Sequence, residues 1–238
     1  MITKGTNKIS DLDFLSGQII LIDKPMFWSS FKVVHEIRKL IGTRKIGHAG
    51  TLDPLASGLL ILCTGKKTKE MTLYQEQEKT YTGTILLGKT TPSMDTETEI
   101  TSEKPVNVTE EEIYRTRDQF LGRITQIPPM YSAIKLKGKT LYNLARKGKT
   151  VEREPREVTI SGFEIVKIDL PEIHFEIVCS KGTYIRVIAN DFGEKLGCGG
   201  ILSSLRRTKI GNYSIEDALS VSEFVEQMQN VDTAKLPG

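Results

Sequence analysis

The side chains best suited to chemistry lie between Ile46 and Gly65, in the stretch IGHAGTLDPLASGLLILCTG. His48 stands five positions before a lone acid, Asp53, which Pro54 follows. Proline fixes its own φ and biases the preceding residue towards an extended conformation, while the nearby glycines permit a tight, irregular loop. A carboxylate on such a loop is a common catalytic arrangement, although an Asp-Pro pair among glycines is more often an ordinary turn.

The elements around this stretch have to position it. The apolar run Leu59–Cys63 directly after the loop predicts a buried strand, and Gly17–Asp23 predicts another. Ser29-Ser30 offers an N-cap for a helix over Phe31–Ile41, and one face of that helix is apolar, made of Phe31, Val34, Ile37 and Ile41. Residues 1–16 are polar and irregular, so we expect a loose N-terminal arm.

Later segments alternate between strand and helix signals. Two capping boxes, Thr109-x-x-Glu112 and Ser220-x-x-Glu223, each predict the start of a helix. Another helix is predicted after the turn at Gly182, with an apolar stripe that ends before Gly197. Strands are predicted over residues 79–88, 158–168, 173–179 and 199–211.

Composition limits the class of protein. With 238 residues, 38% of them hydrophobic, the chain is long enough for one large domain or for one domain plus an appendage. The net charge of only +3 does not by itself indicate a protein that binds nucleic acid. No signal peptide and no apolar run of about 20 residues is present, so we expect a soluble cytoplasmic protein that does not enter a membrane. The three cysteines lack zinc-ligand spacing and predict reduced, mostly buried thiols: Cys63, Cys179 and Cys198.

The order of residues in the loop adds a stronger signal. The string GHAGTLDPLASGLL resembles the signature loop of the TruB-type tRNA pseudouridine synthases. The resemblance implies that Asp53 is the essential catalytic residue. It also implies that His48 contacts the RNA where the target base has left the stack.

Two further strings resemble motifs of the same family and depart from them in part. DKPMFWSSFKVV is similar to D-K-P-x-G-x-[ST]-S, which makes Lys24 a candidate for neutralising a phosphate. Phe27 replaces the usual glycine of that motif. The string TTPSMD, which contains Asp95, loosely matches T-x-T-x-D.

Three more motifs supply the remaining site residues. K-T-Y implies that Tyr81 stacks on the flipped base and transfers the proton at C5, although a buried strand aromatic is the simpler interpretation of that residue alone. G-T-Y-I-R implies that Arg186 pairs with Asp53 and that Tyr184 lines the pocket. L-R-R-T implies that Leu205 packs against the base.

The segment from Lys135 to Arg153, called the basic segment below, contains seven basic residues and one acid. Its net charge of +6 is twice that of the whole chain, so release of counterions from phosphates would drive binding. The sequence resembles the family's thumb insertion, about residues 124–153, which grips the RNA. The candidate contact residues are Lys135, Lys137, Lys139, Arg146, Lys147 and Lys149.

The resemblance also implies a fold and a domain plan. The expected fold is α/β (α+β), the pseudouridine synthase fold, with a mixed, largely antiparallel sheet, flanking helices and the thumb insertion. Residues 1–211 would form the catalytic domain. Residues 212–238 would form a short C-terminal helical tail, where many bacterial members carry a full C-terminal RNA-binding domain.

The implied activity is the isomerisation of uridine to pseudouridine at position 55 in the T arm of tRNA, after the base is flipped out. The N1–C1′ bond breaks, uracil turns, and C5 joins C1′. No redox change occurs, so we expect no cofactor and no metal. We also expect tRNA as the partner of a monomer that needs no other protein. Whether Asp53 attacks C1′ or abstracts a proton stays open.

Other functions fit parts of the sequence. An RNA-binding or tRNA-folding protein without essential turnover would use the same basic segment but leave Asp53 dispensable. A hydrolytic glycosidase needs a second carboxylate as general acid, and no second acid accompanies the active-site motifs. Without the motifs, the sequence would indicate only a mixed α/β domain of unknown role.

Overall fold

The computed structural model describes residues 1–136 and 138–229. The candidate RNA contact Lys137 and the end of the expected C-terminal tail, residues 230–238, therefore lie outside the described residues. The strands, in chain order, are β1 (Ile19–Lys24), β2 (Ile46–His48), β3 (Ser57–Thr64), β4 (Lys79–Leu87), β5 (Lys89–Thr90), β6 (Ser102–Glu103), β7 (Gly122–Gln126), β8 (Lys135–Leu136), β9 (Lys139–Thr140), β10 (Arg156–Asp169), β11 (Glu172–Cys179), β12 (Gly200–Ile210), β13 (Tyr213–Ser214) and β14 (Leu219–Ser220).

The helices are fewer than the strands among the described residues. Three short 3₁₀ turns cover Ile9–Asp11, Gly65–Glu70 and Ile215–Asp217. Within the described ranges, no helix is long and apolar enough to cross a membrane. The α-helices are α1 (Ser30–Leu40), α2 (Met71–Gln75), α3 (Glu110–Asp118), α4 (Leu141–Ala145), α5 (Ile185–Lys195) and α6 (Val221–Gln229).

The chain divides into two compact units. The first unit comprises residues 1–81 and the described residues from 205 onwards, and the second unit comprises Thr82–Ser204. In the first unit the strand order is β14-β1-β3-β12, with β2 paired to β3 and β13 to β12. β1 and β3 are antiparallel, whereas β1 runs parallel to β14 and β3 parallel to β12. The predicted strands at 17–23, 59–63 and 199–211 are thereby confirmed.

The expectation of a loose N-terminal arm is wrong. Ile2 forms a parallel bridge with Ile20 and is fully buried, and Ile9 and Phe14 are buried with it. The Phe14 ring packs edge-on against Phe224 of α6, with centroids 6.5 Å apart. Three widely spaced apolar side chains are enough to anchor an otherwise polar segment, because each one buries nearly its whole surface.

Helix α1 begins where the sequence predicts. The hydroxyl of Ser29 accepts a hydrogen bond from the backbone N–H of Lys32. The expected apolar face is wrong at one position, because Phe31 is 67% exposed. Ser30 supplies the first buried position of the helix, and the stripe then continues through Val33, Val34 and Ile37.

The second unit is built on β4-β11-β10-β7. β10 and β11 form a long antiparallel pair, and β7 also pairs antiparallel with β10. One face is closed by phenylalanine rings whose centroids lie about 6 Å apart, from Phe120, Phe163, Phe175 and Phe192. The capping box of α3 is present as predicted, between Thr109 and Glu112. The mixed, largely antiparallel sheet with flanking helices is thus confirmed, and all three cysteines are buried.

Candidate active site

Asp53 lies in the loop of residues 49–56, between β2 and β3, and its side chain is half-buried. The loop closes on itself where the N–H of Ala56 donates to the carbonyl of Asp53, at 3.1 Å. It enters β3 at Gly58, whose φ of +108° suits glycine. A Cβ atom at Gly58 would come within 2.7 Å of the backbone nitrogen of Arg207, so this position also permits close strand packing.

A buried arginine holds the start of this loop. Arg207 on β12 is 1% exposed and donates from Nε to the carbonyl of Leu59, at 2.8 Å, and from Nη2 to the carbonyl of Gly50, at 3.2 Å. Its neighbour Arg206 makes a two-pronged ion pair with Asp23 on β1. Alternation along β12 sends the two guanidinium groups in opposite directions. The L-R-R-T motif directed attention to Leu205, and the role of Arg207 was not foreseen.

The segment between β1 and α1 holds the rest of the loop. The hydroxyl of Ser30 donates to the carbonyl of Leu52, at 3.1 Å, and accepts from the N–H of Leu52, at 2.9 Å. The N–H of Phe27 donates to the carbonyl of Pro54, at 2.7 Å. Asp53 is therefore fixed through the residues immediately before and after it. We call loop 49–56, with the groups of Lys24, Phe27, Ser30 and Arg207 that support it, the Asp53 frame.

Lys24 occupies an interior position within this frame. Its side chain is fully buried, and its ammonium donates to the carbonyls of Pro25, at 2.9 Å, and Trp28, at 2.6 Å. Burial lowers the pKa of Lys24 to about 8, an effect that the charge of Asp53 opposes and that of Arg207 reinforces. Because its donors are engaged by backbone carbonyls, Lys24 holds the loop before α1 rather than standing on the surface as an exposed lysine.

His48 is the last residue of β2 and is half-buried. Burial and the charge of Arg207 lower its pKa, and a hydrogen bond that the imidazole donates to the backbone of Gly50 opposes the shift only in part. The imidazole is therefore neutral at pH 7. Tyr81 on β4 is 9% exposed and Leu205 on β12 is half-buried, and both belong to the first unit.

In the second unit, Arg186 lies in the first turn of α5 and is 4% exposed. Its Nη1 lies 3.4 Å from Oδ2 of Asp95, which is itself buried. The other oxygen of Asp95 accepts a hydrogen bond from the N–H of Glu97, at 2.9 Å. Because the N–H of Glu97 holds the Asp95 carboxylate in place, that carboxylate gives the guanidinium of Arg186 a defined direction. The TTPSMD string was the signal for Asp95, but the sequence did not assign it to Arg186.

Tyr184 precedes α5 and is held by a reciprocal pair of hydrogen bonds. Gln126, buried at the end of β7, accepts from the N–H of Tyr184 at 3.0 Å and donates to its carbonyl at 3.1 Å. The guanidinium of Arg186 lies 5.9 Å from the Tyr184 ring centroid. Arg186 and Tyr184 therefore form one packed group in the second unit. A glutamine in a polar segment gave no sequence signal for this role.

The basic segment contains a hairpin, β8 with β9, followed by the single-turn helix α4, whose N-cap is Thr140. Tyr142 on α4 donates to a carboxylate oxygen of Glu97, at 2.6 Å, and packs edge-on against Tyr131. That hydrogen bond raises the pKa of Tyr142. The described candidate cations are all exposed: Lys135, Lys139, Arg146, Lys147 and Lys149.

Comparison with known families finds two adjoining matches along the chain. Residues 38–185 match the model of the TruB family pseudouridylate synthase N-terminal domain. Residues 186–236 match the model of the tRNA pseudouridylate synthase B C-terminal domain. Together the two matches begin within α1 and include every motif from the Asp53 loop to Leu205.

Individual relatives agree. A Flavobacterium johnsoniae protein called tRNA pseudouridine synthase B is 51% identical over 91% of this chain and 98% of its own length. A protein of the same name from Chloroherpeton thalassium is 51% identical over 89% and 90%. In a crystal structure of a Cbf5–Nop10–Gar1 complex, one chain matches with a TM-score of 0.71 and 27% identity over 92% of this chain. This chain spans only 57% of that one. A chain in a structure of an H/ACA RNP bound to a substrate RNA matches with a TM-score of 0.71 and 24% identity, which shows the shared fold.

Proposed function

Because the chain belongs to the TruB family of pseudouridylate synthases, we propose that it isomerises uridine to pseudouridine at position 55 in the T arm of tRNA. The observation that carries the proposal is the way in which Asp53 is held. The backbones of Leu52 and Pro54, on either side of Asp53, are hydrogen-bonded to Ser30 and Phe27. At the start of the loop, Arg207 donates to the carbonyl of Gly50. A carboxylate on so constrained a loop is suited to one fixed direction of attack.

The reaction exchanges one glycosidic bond for another. The N1–C1′ bond breaks, the uracil ring turns within the site, and C5 joins C1′. The hydrogen on C5 is lost to solvent, and N1 takes up a proton, so the product is an isomer of the substrate. Asp53 acts in its ionised form, either as the nucleophile at C1′ or as the base that removes a proton. The positive charge of Lys24 in the same frame favours that form.

The target uridine must first leave its stack, which costs a few kcal/mol. Neutral His48 occupies the space that the base vacates, and Tyr81 and Leu205 hold the extruded base between apolar surfaces. Tyr81 also transfers the proton at C5. These roles follow from the family motifs, and the burial of Tyr81 and Leu205 supports an apolar pocket wall.

The roles of Arg186 and Tyr184 rest on the same resemblance. Arg186 pairs with ionised Asp53, and Tyr184 lines the pocket. The second unit supports a directed role for Arg186, because Asp95 and the Tyr184 ring restrict its guanidinium. Arginine suits this role better than lysine, since its planar group can donate two parallel hydrogen bonds to a carboxylate.

Binding of tRNA is assigned to the basic segment, through contacts to phosphates rather than base edges. Its exposed cations support that assignment. In this proposal residues 1–211 act as the catalytic domain with the thumb at about 124–153, and the protein works in the cytoplasm as a monomer with no obligatory protein partner. A cofactor is not required by the chemistry.

The decisive experiment measures tritium release from C5-labelled uridine in a tRNA transcript. We expect release with the wild-type protein and none with Asp53→Asn, which keeps the shape of the side chain and removes its charge. Asp11→Asn, at an exposed acid in the same unit, is the matched control and should release tritium normally. Binding of tRNA by Asp53→Asn should survive.

The main alternative is an RNA-folding protein without essential turnover. It predicts that neither protein releases tritium while both bind tRNA tightly and in a salt-sensitive way. Normal release from Asp53→Asn would instead show that Asp53 is not the catalytic group.

A further inference from the structure

Phe27 combines two features that rarely occur together. Its backbone lies in the left-handed region, with φ of +65°, and its side chain is 74% exposed. A large side chain is disfavoured in that region, and the family motif that this stretch resembles has glycine here. Among the described residues, the other non-glycine positions with positive φ are Lys8 and Met94, and neither is aromatic.

The folded protein gains little from this side chain. Apolar groups stabilise a fold by leaving water, and Phe27 is the most exposed of the large hydrophobic residues described. Glycine would adopt the same backbone without strain. A residue that is strained and also unburied is best explained by contact with something outside the chain.

The ring nevertheless stands on a rigid support. The N–H of Phe27 donates to the carbonyl of Pro54, the residue directly after Asp53. The ammonium of Lys24 binds the carbonyls on both sides of Phe27, those of Pro25 and Trp28. The backbone position from which the ring projects is therefore set by the same frame that sets the position of the proposed catalytic carboxylate.

The surroundings of Phe27 suit a nucleobase. Met26 and Phe31, on either side of it in sequence, are also exposed, and the Lys32 ammonium lies 4.0 Å from the Trp28 ring centroid. Exposed aromatic faces beside cations are the usual means of holding unpaired bases, because the ring stacks on the base while the cation meets the backbone.

We propose that Phe27 is a base-stacking residue, which packs against an unpaired base of the substrate RNA beside the extruded uridine. The proposal rests on the proposed function, since it places RNA at the Asp53 frame. It assigns to this chain a contact that a glycine at the same position cannot make. Because the ring belongs to the frame, stacking would hold the RNA in register with Asp53.

The test compares Phe27→Gly with Phe27→Trp and with Leu15→Ala, a control at another exposed apolar residue of the first unit. Phe27→Gly should weaken binding of a tRNA transcript about tenfold, the usual size for loss of one stacked base. Its melting temperature should equal or exceed that of the wild type, because glycine relieves the backbone. Phe27→Trp should restore binding, and Leu15→Ala should leave it unchanged.

A second measurement identifies the base. Abasic sites are introduced one at a time at the unpaired positions of a T-arm hairpin. At the stacked position, wild type and Phe27→Gly should bind equally, because the contact has already been removed from the RNA. At other positions the tenfold difference should persist.

The outcomes separate this inference from the proposed function. If the wild type releases tritium and Phe27→Gly binds tRNA equally well, the stacking inference is wrong and the proposed function stands. If the wild type neither binds tRNA nor releases tritium, the proposed function fails first. A lower melting temperature for Phe27→Gly, or a failure of Phe27→Trp to restore binding, would assign Phe27 a structural role instead.

Discussion

The Asp53 frame and the basic segment hold their positive charges in opposite ways. In the frame, Lys24 and Arg207 are almost completely buried, and each donates to two backbone carbonyls. In the basic segment, Lys147, Lys149 and the other described candidate cations are exposed, on a short hairpin or in the turn that follows the one-turn helix α4. The same residue types are therefore internal supports in one region and a solvated surface in the other.

This difference corresponds to two requirements. Chemistry at a carboxylate needs positions fixed to within about half an ångström, which buried, fully bonded groups provide. Attraction of a polyanion needs accessible charge and tolerates imprecise positions, since most of its free energy comes from released counterions. Changes in the frame should therefore affect stability and turnover together, whereas changes in the basic segment should affect RNA binding alone.

The largest effect is expected from Arg207→Met. It keeps most of the side-chain volume but leaves the carbonyls of Leu59 and Gly50 without their donors. Loss of two buried hydrogen bonds from a charged donor should lower the free energy of unfolding by about 3 kcal/mol. Turnover should fall at least about a hundredfold, because the loop of Asp53 loses one of its supports.

Urea denaturation and tritium release measure the two effects in the same preparation. Arg206→Met, at the neighbouring arginine whose partner Asp23 is partly exposed, is the control and should cost less stability. Equal effects of the two variants would mean that burial of Arg207 has no special importance for the frame.

The contrast between Arg206 and Arg207 also shows how far the sequence could be interpreted. Hydrophobic alternation and capping boxes predicted most strands and helices, and the loop motif predicted that Asp53 is the catalytic residue. A charged residue in a strand is normally exposed, so a sequence pattern would not predict that Arg207 and Lys24 are buried. Their burial depends on the backbone carbonyls that accept their hydrogen bonds. For Arg207 these carbonyls are distant in sequence, and a local sequence pattern cannot identify them.

Similar reasoning explains the errors. Ile2, Ile9 and Phe14 stand too far apart to give a periodic signal, although each finds a place in the core of the first unit. Phe31 satisfies the helical spacing, but Val33 fills the interior beside the helix and leaves Phe31 in solvent. Periodicity predicts which positions share a face, whereas the shape of the neighbouring surface decides how wide the buried stripe is.

A change of pH tests the frame through Lys24. Its pKa is about 8 in the folded protein and near 10.5 when exposed, so between these values the unfolded chain binds more protons. The free energy of unfolding from this group therefore rises with pH, by about 1 kcal/mol between pH 7 and pH 9. Turnover should fall over the same range, because a neutral amine donates more weakly to the carbonyls of Pro25 and Trp28 and so holds the segment that binds Pro54 less firmly.

The opposite signs of the two effects make this test specific. Melting and tritium release are measured at pH 7 and pH 9 for the wild type and for Lys24→Met, which cannot titrate at this position. The variant should lack the wild type's added stability at pH 9 and its decline in turnover. If both proteins respond to pH in the same way, Lys24 does not titrate in this range.

The smallest effect is expected in the basic segment, from Lys147→Gln combined with Lys149→Gln. Both side chains are exposed, so the melting temperature should not change. The dissociation constant for tRNA should rise about fivefold to tenfold near physiological salt, and the slope of log affinity against log salt should fall by about two. Turnover at saturating tRNA should be unaffected. A pair of exposed lysines outside the segment, Lys8→Gln with Lys167→Gln, is the control and should leave the salt slope as it is. An unchanged slope for Lys147→Gln with Lys149→Gln would mean that these lysines do not contact phosphates. A loss of turnover at saturating tRNA would mean that they also act on the chemistry, and the proposed separation between a rigid frame around Asp53 and a solvated binding surface would then be wrong.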